Sequence, residues 1–374
     1  MNIQTLFPTT YEESRARFRA DLSHIKSLWH TAQLQSHQVG DEGDLTIDWI
    51  TAEPTTSKEK LLVFTTGEHG VEGYTGSASL QLFIEEHIAR LNPATTGLLL
   101  VHAINPWGMK HKRRTNGNNV DLNRNFLWNA EPDPAFNPNY AKLKSLLVPQ
   151  RRIRILSAHR ASFVSRLLWH RRRYGTPFVR HTTLLGQSAF PTGLFFGGKN
   201  IQTEVRLMMQ LYRDTMRQYD RIVHLDMHSG YGPRYQMQLV NSKFEPRDSR
   251  DLEKQFNFPL VSKANPSEFY EIRGDMIDFV YTLARHEFPN KKLYSTSFEF
   301  GTIGDSYWNT IRSLQIKAME NRAHWFGAGA SAQQQIAHDF DELYTPRETH
   351  WRNKAMADAA QALDGILRAE EFIK

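Results

Sequence analysis

Short apolar runs bounded by glycine, proline or charged residues indicate the strands of this chain. Four of these runs suit buried strands, and they lie at 61–65, 97–104, 222–227 and 293–298. A weaker alternation of apolar and polar residues over 45–50 predicts a fifth strand. A helical stretch separates the first two runs, and the order strand–helix–strand is typical of a βαβ unit. The pattern therefore predicts a mostly parallel sheet.

Helical periodicity is found before, between and after these strands. Apolar residues recur at helical spacing over 11–35 and predict an amphipathic helix there. A second helix is predicted to begin near Glu72 or Gly76, and the Ala-rich stretch 351–371 is a third. We therefore expect an α/β fold with a mixed, mostly parallel central sheet flanked by helices, forming a single domain over 1–374.

The region 127–200 has a different composition from the rest of the chain. After a loop rich in proline and asparagine it carries Arg151, Arg152, Arg154, Arg160, Arg166, Arg171, Arg172, Arg173 and Arg180. We interpret it as a helical Arg-rich insertion with a solvated basic face. A contact surface for an acidic partner or an oligomer interface is the alternative. Leu167, Leu168 and Trp169 lie among the arginines, so part of the insertion must pack against something.

The composition excludes several kinds of functional site but does not help to choose a fold. The 374 residues include no cysteine, which excludes disulfides, thiolate metal sites and cysteine nucleophiles, so any metal must be held by His, Asp or Glu. A net charge of +6 does not by itself indicate nucleic-acid binding. The start of the chain lacks the pattern of a signal peptide, and no apolar run approaches the roughly 20 residues that span a bilayer. We expect a cytoplasmic protein without nucleic-acid or membrane partners.

The strongest local motif is His69-x-x-Glu72, which directly follows the predicted strand 61–65. An imidazole and a carboxylate at this spacing can converge on one point, and catalytic zinc takes three such protein ligands. A capping arrangement at the start of a helix explains the pair equally well. The third ligand should come from the end of another strand, because active sites in open α/β sheets lie at the carboxyl ends of strands. His228 fits this position.

Other ionisable residues lie at the same predicted strand ends. His224 and Asp226 share a strand face with His228, either as core groups or as support for a ligand imidazole. Glu299 lies at an otherwise apolar strand end, where a charge is costly unless it has a task or a partner. A structural salt bridge is the alternative for Glu299.

Combined in order, these motifs resemble a known family. The chain contains His69-x-x-Glu72, Asn105-Pro106, Arg114, Asp121-Leu-Asn123-Arg124-Asn125 and His228-Ser229-Gly230. This order and approximate spacing are similar to the zinc carboxypeptidase (M14) superfamily, and within it to the bacterial DUF2817 branch. The motifs span about residues 60–302, and their combination is far more specific than any one of them.

The resemblance implies a metal site. His69, Glu72 and His228 would be the ligands of one Zn²⁺ ion. Asp121 would accept a hydrogen bond from the ring nitrogen of His69 that does not bind zinc, as carboxylates do in many zinc sites. Glu299 would be the general base, taking a proton from a zinc-activated water and delivering it to the leaving amine.

The resemblance also implies a substrate site. Arg114 would polarise the scissile carbonyl and stabilise the oxyanion. Asn123 and Arg124 would bind a free carboxylate of the substrate, for which a bidentate guanidinium is suited. The substrate is then a peptide or a small molecule with such a carboxylate.

Two features depart from the family pattern. Its digestive members carry a tyrosine on a mobile loop near the substrate, and Tyr231, Tyr235 and Tyr270 are the candidates here. Tyr231 follows the turn of the third metal ligand and is our prediction. The insertion at 127–200 is absent from the simplest members. Within it, 193–198 is either a loop over the cleft or a turn with apolar packing.

The implied function is a zinc carboxypeptidase-like hydrolase that cleaves an amide bond adjacent to a free carboxylate. Deacylases of N-acyl amino acids, like aspartoacylase and succinylglutamate desuccinylase, are an alternative because they share the H-x-x-E pair, a D-L-N-R segment and a late Glu. Here the D-L-N-R segment continues as D-L-N-R-N-F over 121–126, and this longer motif favours the carboxypeptidase. A second alternative is a non-catalytic binding protein that uses the Arg-rich insertion, although every expected catalytic position is present.

Overall fold

The computed structural model describes residues 2–264 and 272–374, and a sheet lies at its centre. In these ranges the strands are β1 (Gln33–Gln38), β2 (Thr46–Ala52), β3 (Lys60–Thr66), β4 (Thr96–His102), β5 (Arg221–Ser229), β6 (Met237–Asn241), β7 (Val261–Lys263) and β8 (Lys292–Phe300). The helices are α1 (Tyr11–Leu28), α2 (Gly73–Glu86), α3 (Pro106–Lys110), α4 (Lys144–Leu147), α5 (Leu156–Tyr174), α6 (Thr176–Leu184), α7 (Thr203–Met216), α8 (Ser249–Phe256), α9 (Met276–Glu287), α10 (Tyr307–Phe326), α11 (Ala330–Tyr344) and α12 (Thr349–Ala369). Short 3₁₀ helices lie at Ile3–Leu6, Gly70–Glu72, Ile88–Arg90, Leu122–Arg124 and Pro138–Leu143.

The sheet has the strand order β1-β2-β4-β3-β5-β8-β6-β7. Its centre, β4-β3-β5-β8, is parallel throughout, while β1 and β2 are added antiparallel at one side. At the other side β6 runs antiparallel to β8, and β7 pairs parallel with β6. The predicted mixed, mostly parallel α/β sheet is confirmed. All four central strands therefore end at the same edge.

Both faces of the central strands are buried, which explains their continuous apolar sequences. On β3, Leu62 and Phe64 belong to the core formed with α1, α2, α8 and α12. Leu61 and Val63 point the other way, into the core formed with α7 and α9. The sheet is thus covered by helices on both sides.

The predicted strands and helices are confirmed except at one place. The helix predicted over 11–35 ends at Leu28, and the chain then forms the edge strand Gln33–Gln38. That strand is largely exposed and polar, and it pairs only with β2, so no apolar alternation distinguished it. Strands β6 and β7 were not predicted either, because β6 mixes polar and apolar residues over five positions and β7 has only three residues.

The insertion is helical, as predicted, and contains α4, α5 and α6. Its buried Phe163 and Leu167 belong to a third apolar cluster together with Ile311 and Met319 of α10. Trp169, in contrast, is 58% exposed. The insertion therefore packs one side against α10 and leaves its other side open. Among all helices of the described residues, none has both the length and the apolar character needed to cross a bilayer.

Candidate metal centre

The first two candidate ligands lie in the turn that leaves β3. Gly67 has φ +68°, a conformation that glycine adopts without strain, and it turns the chain over the edge of the sheet. His69 follows, and Glu72 ends the 3₁₀ helix that leads into α2. His228 lies near the end of β5, which pairs directly with β3. The predicted ligands therefore meet at the carboxyl ends of two adjacent parallel strands.

The ligand atoms of these three residues are separated by nearly equal distances. His69 Nδ1 lies 3.1 Å from Glu72 Oε1 and 3.3 Å from His228 Nδ1, and His228 Nδ1 lies 3.2 Å from Glu72 Oε2. Atoms that share a tetrahedral zinc ion are roughly 3.3 Å apart, given bonds of about 2.0–2.1 Å. All three side chains are buried. The spacing and the N, N, O donor set both fit zinc.

The opposite nitrogen of each ring faces a carboxylate. His69 Nε2 lies 3.0 Å from Asp121 Oδ1, and His228 Nε2 contacts Asp226 Oδ2. Such carboxylates hold a ligand imidazole in one orientation and raise its basicity. Both Nδ1 atoms are therefore directed toward the same point, and the predicted role of Asp121 as a partner of His69 agrees with this contact.

Negative charge dominates the surroundings of this point. The carboxylates are Glu68, Glu72, Asp121, Asp226 and Glu299. Burial raises the pKa of Glu72, but His69, His228 and Arg114 outweigh it and hold that pKa low. Arg114 contributes directly, since its Nη1 donates to Glu72 Oε1 at 2.9 Å and its Nε donates to Asp121 Oδ2 at 3.2 Å. A divalent cation would offset the remaining negative charge.

Glu68 is a member of this group to which the sequence motifs gave no role. It is fully buried, and within residues 2–264 and 272–374 neither of its carboxylate oxygens has a hydrogen-bond partner. Its Oε2 lies 3.5 Å from His228 Nε2, and Glu68, His69 and His228 offer ligand atoms within 4.8 Å of one another. Burial and the nearby Asp226 raise its pKa well above the ordinary value. Its position directly before His69 is not a ligand spacing, so no motif indicated it.

Glu299 lies beside the candidate metal ligands because of strand register. On adjacent parallel strands, Glu299 of β8 is the direct partner of His228 of β5. Burial and the charge of Glu72 raise its pKa to about 8. Its Oε1 accepts a hydrogen bond of 3.0 Å from the backbone N–H of Tyr231. Glu299 lines the same cleft as His69 and Glu72.

The two residues predicted to bind a carboxylate have different surroundings. Asn123 lines the cleft, and its Oδ1 accepts a hydrogen bond of 2.9 Å from the N–H of Met276 at the start of α9. Arg124 instead lines a neighbouring cavity. Its Nη2 donates to the carbonyl of Leu184 at 2.8 Å and its Nη1 to the carbonyl of Asn123 at 2.7 Å. The structure thus brings Asn123 to the cleft and directs Arg124 elsewhere.

Of the three candidate tyrosines, Tyr231 lines the cleft. Its hydroxyl accepts a hydrogen bond of 3.3 Å from Nη2 of Arg180, which belongs to the insertion. The Tyr235 hydroxyl donates to Glu348 at 2.9 Å and does not line the cleft. Tyr270 lies outside the described residues.

Three further residues of the cleft carry no recognisable motif. Phe195 of the insertion lines it, and its ring centroid lies 5.9 Å from the guanidinium carbon of Arg114 and 5.5 Å from that of Arg124. The segment 193–198 therefore contributes to the cleft wall. Lys317 of α10 and Tyr344 of α11 line the cleft as well. Both residues lie on helices that follow the last strand, and no sequence pattern indicates that these helices reach the cleft.

Several solved structures are similar to this fold at low sequence identity. Bovine thrombin-activatable fibrinolysis inhibitor is 13% identical, with 88% of this chain and 96% of that chain covered and a TM-score of 0.47. Carboxypeptidase A from Helicoverpa armigera is 11% identical, with 90% and 74% covered and a TM-score of 0.45. A succinylglutamate desuccinylase from Silicibacter sp. TM1040 is 16% identical, with 79% and 67% covered and a TM-score of 0.38.

No curated protein matches the chain. The family model described as "Protein of unknown function (DUF2817)" matches residues 7–358, which is nearly the whole length. This match confirms the family predicted from the motifs between residues 60 and 302. The chain belongs to the DUF2817 family.

Proposed function

We propose that this protein is a zinc-dependent hydrolase that cleaves an amide bond adjacent to a free carboxylate. The observation that supports this proposal is the convergence of His69, Glu72 and His228 at 3.1–3.3 Å from one another, beside Glu299 in one cleft. A role as base is favoured over a structural salt bridge at Glu299, because its carboxylate accepts a backbone N–H and because burial and the charge of Glu72 raise its pKa.

His69, Glu72 and His228 would hold the metal. Zinc bound there supplies Lewis-acid polarisation of a carbonyl and lowers the pKa of water. Glu299 lines the cleft beside these residues and would take a proton there and return it to the leaving amine. Because Glu299 and His228 are fixed by strand register, the base is held at one distance from the metal ligands.

The remaining roles concern the substrate. Arg114 would stabilise the oxyanion, since a fixed cation beside the metal ligands favours developing negative charge. Asn123 faces the cleft and would bind the free carboxylate through its amide, with Tyr231 nearby. Arg124 would join them only after exchanging its bonds to the carbonyl of Leu184.

The test is the variant Glu299→Gln in zinc-loaded protein. We expect zinc to remain stoichiometric and turnover to fall by at least about 100-fold, because general acid–base catalysis contributes at this level. Zinc is measured by elemental analysis, and turnover by release of free amine. Substrates are unblocked peptides and N-acyl amino acids, so the same assay separates a carboxypeptidase from a deacylase.

Glu204→Gln is the matched control. Glu204 is also buried with a raised pKa, but its carboxylate accepts a hydrogen bond from Asn116 and it does not line the cleft. This variant should retain turnover. Full activity of Glu299→Gln would remove Glu299 from its role. If the wild-type protein bound no stoichiometric zinc and hydrolysed neither substrate class, the alternative of a non-catalytic binding protein would be favoured.

A further inference from the structure

The ammonium group of Lys317 is a second cation in the cleft, and the proposed reaction leaves it without a role. Lys317 lies on α10 and is partly buried. It lines both the cleft of the metal ligands and an adjoining cavity that includes Arg114 and Glu320. It is therefore placed where a substrate that extends beyond the metal centre would pass.

Among the described residues, Lys317 lacks an acidic partner of the kind that Lys112 and Lys354 have. Its Nζ donates to Ser313 Oγ at 3.0 Å, within the same helix. In the part of the chain that the structure describes, no carboxylate lies within 4.0 Å of it, whereas Lys112 pairs with Asp341 at 2.7 Å. An ammonium group has three donors, so two remain for a ligand.

The nearest acid on the same helix is already paired. Glu320 faces the guanidinium of Arg113 at 3.5 Å. Burial and Arg114 lower the pKa of Lys317 to about 8 against the opposing effect of Glu72, Glu299 and Asp121, so the group is still mostly charged at neutral pH. A partly buried charge without a direct ion pair costs stability, which a ligand of opposite charge would offset.

A second donor lies next to Lys317. The Tyr344 hydroxyl is buried in the cleft wall beside the guanidinium of Arg114, which can only donate, so the hydroxyl proton remains available to a ligand. The ring centroid of Tyr344 lies 5.9 Å from Lys317 Nζ. Both residues come from α10 and α11, whereas Asn123 lies against the start of α9. Lys317 thus lies where the cleft adjoins the second cavity, whereas Asn123 lies against α9 and does not line that cavity.

We propose that Lys317, together with the Tyr344 hydroxyl, binds a carboxylate carried by the acyl portion of the substrate. This inference rests on the proposed function, in which the scissile amide would lie at the metal ligands, the free carboxylate of the leaving amine at Asn123, and the acyl portion toward the cavity that Lys317 also lines. The preferred substrate is then an acidic N-acyl amino acid or a peptide with an acidic residue before the scissile bond. Lys317 is a specificity residue and takes no part in the chemical step.

The experiment measures binding in the zinc-loaded Glu299→Gln variant, where turnover does not interfere. Two matched pairs of ligands differ only by a carboxylate and its amide: N-succinyl-alanine against N-succinamyl-alanine, and N-acetyl-Glu-Ala against N-acetyl-Gln-Ala. In at least one pair the acidic member should bind about tenfold tighter or more by calorimetry, as expected for a hydrogen bond to a charged group. The pair that shows the larger preference identifies the source of the carboxylate.

Lys317→Met in the same background should reduce this preference to near one, and Lys317→Arg should keep part of it. Lys292→Met is the matched control, because Lys292 is exposed at the far end of β8 and should leave the preference unchanged. A loss of packing would weaken both members of a pair equally, so the ratio reports the charge alone.

Equal binding of both members in both pairs would overturn the inference, and so would a preference that survives Lys317→Met. The first outcome needs no Lys317 variant, so it applies even if that variant fails to fold. The proposed function fails separately, when zinc-loaded wild-type protein hydrolyses none of the four compounds and no other peptide or N-acyl amino acid. Binding and hydrolysis therefore test the two proposals independently.

Discussion

Two buried histidines near the ends of the two strands that flank β3 have opposite electrostatic properties. His228 on β5 is 5% exposed and His102 on β4 is 1% exposed. The pKa of His228 is raised well above its ordinary value, because Asp226 and Glu72 outweigh the effect of burial. Burial instead lowers the pKa of His102 to about 4.

The difference lies in what surrounds each ring. Both nitrogens of His228 face carboxylates, through Asp226 on one side and Glu72 on the other. His102 Nε2 shares a hydrogen bond of 2.8 Å with Ser14 Oγ, its ring stacks on Phe18, and within the described ranges its Nδ1 has no partner. Equal burial at a strand end thus produces a core residue or a candidate ligand, according to the carboxylates nearby.

The largest expected effect is that of His228→Ala. The zinc affinity should fall by at least about 100-fold and hydrolysis should be lost, because loss of a direct ligand exceeds the 10–100-fold cost of losing its supporting groups. Calorimetric titration with Zn²⁺ measures the affinity. His102→Ala is the control and should keep stoichiometric zinc. Stoichiometric zinc in His228→Ala would show that His228 is not a zinc ligand.

The second effect is a pH dependence of stability caused by His102. Its folded-state pKa of about 4 lies below the ordinary 6.5, so the unfolded chain binds more protons between these values and stability is lost as the pH falls. We expect the free energy of unfolding of the metal-free protein to decrease by about 3 kcal/mol from this group between pH 6.5 and 4. Urea unfolding at several pH values measures it.

His102→Gln should flatten part of that slope. His224 and His324, whose pKa values burial also lowers to about 4, should supply part of the slope that remains. A slope identical to that of the wild-type protein would mean that His102 does not stay neutral when buried.

The smallest expected effect is that of Asp226→Asn. The variant keeps the shape of the carboxylate behind His228 but removes its charge, so the zinc affinity should fall about 10–100-fold. Glu42→Gln is the control, because Glu42 contacts His111 at 2.8 Å but this pair is exposed at the surface. The control should leave the zinc affinity and the thermal midpoint unchanged. An unchanged zinc affinity in Asp226→Asn would mean that the charge of Asp226 does not support His228 as a ligand and that the two side chains only pack together.

The central strands could be predicted because burial on both faces requires continuous apolar sequences. Strand β1 could not, since it lies exposed at the edge and its residues are polar. The helix predicted over 11–35 continued through it because the positions of α1 repeat at helical spacing up to Trp29.

For the candidate site, the motifs located His69, Glu72, His228 and Glu299, because these residues follow or end predicted strands. The strand order then explains why they meet. Lys317 and Tyr344 were missed because their helices contribute single side chains with no characteristic spacing. The bonds of Arg124 to the carbonyl of Leu184 also depend on tertiary packing, which no local motif encodes.

The distance along the chain between the candidate ligands has a consequence for synthesis and folding. His69 and His228 are 159 residues apart, and they meet only because β5 pairs with β3. A nascent chain that has not yet extended past β5 therefore has two of the three ligands and no closed metal site. Pairing over so long a loop is slow relative to local helix formation. Metal capture would then be a late event that follows assembly of the sheet, and the base on β8 would be added later still.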